Sequence, residues 1–175
     1  PADGIETRAM TLAAAHEIDG PVYLRLGRYP VPDLLPADYE YHLGRAVTLR
    51  EGADVALLAC GHMVNVALQA ARLLAKDGVE ASVTNVSTIK PLDSEAVLAA
   101  ASNTQGLVVT VEEHSIIGGL GSAVAETLAE EADNGRLLRL GTRDVYGESG
   151  TADELLTKHG LTAQGVARSV QERLT

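Results

Sequence analysis

GLVVTVEEHSIIGGLGSAVAETLAEE, running from Gly106 to Glu131, holds a strand, a turn and a helix start in immediate succession. Leu107 to Val111 is a short, valine-rich apolar run, the pattern of a strand buried on both faces. Glu112, Glu113 and His114 follow, then Gly118, Gly119 and Gly121, then Ser122 and the apolar helix positions Val124 and Leu128. In open α/β sheets the carboxyl ends of strands are where ligands and partners meet the protein. The stretch therefore reads as a site or as an interface.

Upstream of it, helices alternate with strands. Ala46 to Leu49 and Val55 to Ala59 read as strands, the second leaving through Cys60-Gly61-His62. Val64 to Lys76 is a helix with Val64, Ala67, Leu68, Ala71, Leu74 and Ala75 on one face, stopped by Asp77-Gly78. Ala81 to Val86 is the next strand, and Pro91 to Ala101 a helix with Asp93 near its start. Downstream, Leu137 to Leu140 is a last strand, followed by helices over Thr151 to His159 and Thr162 to Leu174. Strands separated by helices predict an α/β fold: a three-layer, mainly parallel β-sheet flanked by helices, with right-handed crossovers. This domain is expected over residues 39–175.

Before it lie two other pieces. In residues 1–28, Asp3 and Glu6 have capping-box spacing, and Ile5, Ala9, Leu12 and Ala13 share a helix face. Val22 to Leu26 then reads as a strand ending at Gly27-Arg28. One helix and one strand cannot close a core, so residues 1–28 are expected to be an α–β remnant of another domain. Three prolines and no period over residues 29–38 read as a linker.

The composition narrows the function classes. Net charge is −10, which repels phosphate backbones and anionic lipid, so no nucleic acid and no membrane partner is expected. Five Tyr, no Trp and no Phe leave the core to aliphatic residues. The single Cys60 precludes an internal disulfide and reads as a buried, inert thiol. No apolar stretch reaches membrane-spanning length, no signal peptide is visible, and a reducing, cytoplasmic setting is the default expectation.

Three constellations offer chemistry. Gly119-Leu120-Gly121 begins a dinucleotide fingerprint whose third position is Val124, not Gly or Ala. The amides of Gly121 and Ser122 suit an anion at a helix start, or the small residues serve close packing. Glu112, Glu113 and His114, with His62 at a second strand exit, suit acid–base work, a subunit contact or backbone capping. Their spacing supplies no close ligand pair, so no metal site is assigned. Arg25 and Arg28 flank a strand end with Gly27 between them, where a guanidinium grips a phosphate or carboxylate bidentately, or forms a surface ion pair. No Ser-His-Asp arrangement stands out, and no catalytic residue is assigned.

Three segments together resemble the transketolase family. PADGIET (Pro1–Thr7) with GPVYLRLGR (Gly20–Arg28) is similar to the end of its pyrimidine-binding domain. VEEHSIIGGLGSAVAE (Val111–Glu126) is similar to the signature of its C-terminal domain. DVYGESG (Asp144–Gly150), with Glu154-Leu155 and GLTAQGV (Gly160–Val166), is similar to that domain's closing motif, where Phe is commoner than Tyr146. The likeness covers nearly the whole chain and looks nearest to the C-terminal subunits of split transketolases. Deoxyxylulose-phosphate synthases and 2-oxo acid dehydrogenase beta subunits share the domain, and a non-catalytic dimerisation domain is a further alternative.

The resemblance implies a thiamine-diphosphate enzyme of pentose phosphate and other carbohydrate metabolism, moving a two-carbon ketol unit between sugar phosphates. It implies Arg28 as the substrate-phosphate ligand; Arg25 matches a basic position of the deoxyxylulose-phosphate synthases. It also implies a homodimer or higher assembly supported by the 106–131 stretch, with Glu112, Glu113, His114, Gly118, Gly119 and Gly121 as interface or loop candidates. The family's activating glutamate and aromatic wall lie upstream, and its diphosphate and Mg2+ site lies on another domain or subunit. Thiamine diphosphate and Mg2+ are thus expected in the complete enzyme, with no cofactor-binding residue in this chain. The chain is expected to be the C-terminal end of a larger catalytic protein, inactive alone.

Overall fold

A computed structural model of the chain describes residues 1–131 and 136–175. Five strands make one sheet: β1 (Val47–Arg50), β2 (Val55–Ala59), β3 (Ala81–Asn85), β4 (Leu107–Ser115) and β5 (Arg136–Thr142). Their order is β1-β3-β2-β4-β5, parallel except for the edge strand β1, which pairs antiparallel with β3. The six helices among the described residues are α1 (Gly4–His16), α2 (Met63–Lys76), α3 (Ser94–Ser102), α4 (Leu120–Glu131), α5 (Ala152–Lys158) and α6 (Ala163–Leu174).

The alternation of side chains along the central strands splits the core into two layers. Val55, Leu57 and Ala59 of β2, with Leu107, Val109 and Val111 of β4, meet α2, α5 and α6 through Ala67, Leu74, Leu156, Val166 and Val170. Ala56, Leu58 and Val108 face the other way, onto Val97 of α3 and Leu120, Val124 and Leu128 of α4. That is the three-layer arrangement the sequence predicts. β2 and β3 are buried along their whole length, as central parallel strands must be.

The capping residues set most helix bounds. Asp93, Thr151 and Thr162 accept from the amides of Ala96, Glu154 and Gly165, so α3 begins after Asp93, later than the expected Pro91. β4 runs on to Ser115, well past the expected Val111, because β5 pairs alongside it as far as Thr142. Glu112, Glu113 and His114 are therefore strand residues.

Two expectations for the opening segment are corrected. Val22 to Leu26 joins no ladder among the described residues. Val22, Tyr23 and Leu26 are exposed. The buried face of α1 is Glu6, Met10 and Ala13, and Leu12 stays exposed. A polar network turns the helix this way. Asp3 accepts from the amides of Glu6, Leu34 and Leu35 at 2.8, 2.7 and 2.9 Å. Glu6 is fully buried and accepts from the Ala2 amide, the Tyr39 hydroxyl and Asn85 Nδ2 at 2.6, 3.0 and 2.9 Å. The Glu6 arm of the expected capping box thus reaches Ala2, one residue beyond the cap. It also binds α1 and the proline-rich segment to the end of β3.

Candidate functional site: the carboxyl edge of β2 and β4

The carboxyl ends of β2 and β4 lie side by side, with Ala59 opposite Val111. Three features converge there: the glycine turn before α4, the Cys60-Gly61-His62 exit, and the Arg25–Tyr29 segment.

The glycine turn is organised around Glu112. This residue is 1 % exposed, and its carboxylate accepts from the amides of Leu120 and Gly121 at 2.8 and 2.7 Å. The start of α4 is thus capped by a negative group from within the chain, where unpaired amides and the helix dipole favour one. The glycines make room for it. A Cβ on Gly119 would stand 2.0 Å from Glu112 Oε2, and one on Gly121 would stand 3.0 Å from Oε1. Gly141 on β5 completes the cradle; its Cβ would meet the His114 carbonyl at 2.7 Å and Glu112 Cγ at 3.3 Å. Gly118 serves differently, taking a left-handed φ of +79° while its amide donates to Ser122 Oγ at 2.8 Å.

This settles the anion reading of the turn: the Gly121 amide already holds Glu112. Of the two readings, close packing wins, with a carboxylate as the packed group. Gly141 carried no sequence signal, because its partner lies on another strand. Glu112 and Gly121 are enclosed, whereas His114 and Gly118 reach the surface.

Glu113 turns to the opposite face from Glu112 and approaches His62 Nδ1 at 3.4 Å. His62 sits at the start of α2 with its side chain 8 % exposed and its ring stacked on Tyr29, centroids 5.1 Å apart at 25°. Burial holds its pKa below the usual imidazole value, against the pull of Glu113; the Arg25 charge acts in the same direction as burial. His114, the other candidate, is exposed, and its Nδ1 lies 3.2 Å from the Ser115 carbonyl oxygen. Among the described residues no three His, Cys, Asp or Glu side chains come together as a metal site. The Tyr29 hydroxyl donates to Asp153 Oδ1 at 2.8 Å, and Arg25 Nη2 donates to the Glu113 carbonyl at 3.3 Å. Arg28, between them, is exposed. Sequence spacing marked the arginines but not Tyr29, whose partners come from two distant elements.

Cys60 lies beside this cluster, partly buried, and its thiol is pushed up to about 12 by burial first and the Glu112 charge second. Alkylation by iodoacetamide at pH 8 is expected to run on the order of 10³-fold slower than in the urea-unfolded chain, since the thiolate is the nucleophile. Comparable rates would overturn the burial account.

The residues of this edge do not fit thiamine diphosphate. The helix start that offers amides to a phosphate is capped by Glu112, and the space a Cβ would take at Gly119 is filled by the same carboxylate.

Comparison with known proteins agrees with this architecture. Residues 44–166 match the family model described as transketolase, C-terminal domain. The 6-deoxy-6-sulfo-D-fructose transketolase subunit of Clostridium sp. (strain MSTE9) is 49 % identical over 173 residues, 98 % of this chain and 52 % of that protein. A putative transketolase C-terminal section of Methanocaldococcus jannaschii is 39 % identical over 176 residues, 99 % of this chain and 54 % of that protein. A solved structure described as a split gene transketolase, inactive beta4 tetramer, superimposes with a TM-score of 0.91 at 47 % identity, covering 99 % of this chain and 55 % of that one. The chain spans about half the length of these relatives. With the sheet order, the two-layer core and the family match in agreement, the chain belongs to the transketolase C-terminal domain family.

Proposed function

We propose that this chain is the C-terminal portion of a split, thiamine-diphosphate-dependent transketolase that transfers a two-carbon ketol unit between sugar phosphates. In this reading its own part is to contact substrate phosphate through Arg28 and to support assembly. Thiamine diphosphate, held with Mg2+ by residues beyond those described here, supplies the carbanion chemistry. The partner is the diphosphate-binding part of the same enzyme.

The observation that carries the reading is the different fate of the two arginines. Arg25 is spent on the Glu113 carbonyl, while the Arg28 guanidinium is exposed with no hydrogen-bond partner among the described residues. A guanidinium left exposed at the end of this segment suits an anionic substrate. Support for assembly comes from Val22, Tyr23, Leu26, Ile117, Val145 and Tyr146, which are large, apolar and exposed.

Charge-assisted hydrogen bonds to a phosphate are worth about 1.5–3 kcal/mol. In the complete enzyme, Arg28→Ala is expected to raise KM for phosphorylated sugars about 10- to 100-fold, with thiamine diphosphate binding unchanged. An unaltered KM removes Arg28 from the site.

A further inference from the structure

We infer that Asp3 and Glu6 latch α1 to the end of β3, so that in the complete enzyme α1 and the proline-rich residues 29–38 move with the 39–175 domain as one body. The inference does not depend on the phosphate reading of Arg28; it rests on contacts the chain makes with itself. Asp3, Glu6 and Asn85 are 2 %, 0 % and 0 % exposed. Glu6 Oε1 accepts from Asn85 Nδ2, 79 positions away at the end of β3, at 2.9 Å, and from the Tyr39 hydroxyl at 3.0 Å. Asp3 Oδ1 caps α1 at the Glu6 amide, while its Oδ2 takes the amides of Leu34 and Leu35. Two carboxylates thus join α1, residues 34–39 and β3. Hydrogen bonds to a buried charge are directional, so they fix the angle and register of α1 where apolar contact alone would let a helix slide.

Residues 29–38 then act as a fixed strap. Leu35 is buried, and Tyr29 and Leu34 pack against the α2 side of the core. Beyond the strap, the Tyr41 hydroxyl meets Thr88 Oγ1 at 2.9 Å, and the Gly44 amide donates to the same oxygen at 3.3 Å. The Ala46 amide donates to Asp93 Oδ2 at 2.9 Å. Pro30, Pro32 and Pro36 fix φ and lower the entropy lost when the strap is ordered. The split gene transketolase that superimposes over 99 % of this chain has further chain of its own, so this trace is compatible with the presence of more protein. A change at the end of β3 is therefore felt in α1, across the boundary that composition places at residue 39.

The test is amide hydrogen exchange on the complete enzyme, with the substitution placed in the sheet and the readout in α1. Asn85→Ala removes one donor from Glu6. It is expected to quicken exchange in α1 and at Leu34 and Leu35 together by about 10- to 100-fold, the size of losing one hydrogen bond to a charged group, while β2 and β4 stay within about threefold. Tyr39→Phe keeps the ring, removes the other donor to the same oxygen, and is expected to give the same pattern at smaller size. If Asn85→Ala does not yield folded enzyme, Tyr39→Phe decides. Unchanged exchange in α1 would mean that the helix is held by the rest of the enzyme and not by this sheet, and would overturn the latch. So would faster exchange in α1 with Leu34 and Leu35 unmoved, since Asp3 is what ties them. Equal loosening of β2 and β4 would mean general damage and would overturn it too.

Discussion

Glu112→Ala is expected to destabilise the protein by about 3–5 kcal/mol, since an orphaned buried donor costs about 1–3 kcal/mol and two amides lose their acceptor together. Leu120 and Gly121 are the donors, and neither has another acceptor at the start of α4. Glu112→Gln should cost about 1–3 kcal/mol, because the amide keeps one acceptor oxygen and turns a donor toward the other N–H. Gly119→Ala attacks the same contact from the other side. Its Cβ would lie 2.0 Å from Glu112 Oε2, so the carboxylate must leave its place, at a cost similar to deleting it. The two changes are therefore not additive. In a double-mutant cycle followed by urea unfolding, the Gly119→Ala penalty should shrink by more than about 1 kcal/mol once Glu112 is alanine. Strict additivity would mean that the glycine turn is not built around the carboxylate.

Glu6→Ala is the second large effect, again about 3–5 kcal/mol on the scale of about 1–3 kcal/mol per orphaned buried group. The Ala2 amide, the Tyr39 hydroxyl and Asn85 Nδ2 would all lose their acceptor. Hydrogen exchange should quicken in α1 and around residues 34–39 while β2 and β4 keep their protection. Equal loosening of the whole sheet would contradict a local tie. The same network makes stability sensitive to alkali. Burial, and then Glu6, hold the Tyr39 pKa well above its ordinary value near 10. The folded state therefore keeps a proton that the unfolded state releases, and stability falls as pH rises above 10. Tyr39→Phe should blunt the loss between pH 10 and 12, measured by urea unfolding at successive pH values. An unchanged slope would assign the alkaline lability to other groups, Cys60 among them.

Much of the fold is legible along the chain. The apolar run at Val55 and the helical stripe from Val64 to Lys76 fall within one residue of β2 and α2, and the run at Leu107 starts β4, which continues past Val111 to Ser115. Buried parallel strands and amphipathic helices have periods that local sequence records. Val22 to Leu26 has a strand's composition and joins no ladder among the described residues, since a strand exists only where a neighbour completes its hydrogen bonds. Glu112, Glu113 and His114 were marked as a group, but the local pattern did not say that they would part company. Glu112 goes inside, Glu113 goes to His62, and His114 goes to solvent.

The sequence by itself determined the layers, the alternation of strands and helices, and the family. Each is written in residues close together, where period, capping and motif act over a few positions. Only the tertiary structure decided that the glycine turn holds a carboxylate, that Gly141 completes its cradle, and that Tyr29 bridges His62 and Asp153. Those contacts join residues from 8 to 124 positions apart, and their energies depend on ångström-scale distances that only packing of the sheet and its helices can set.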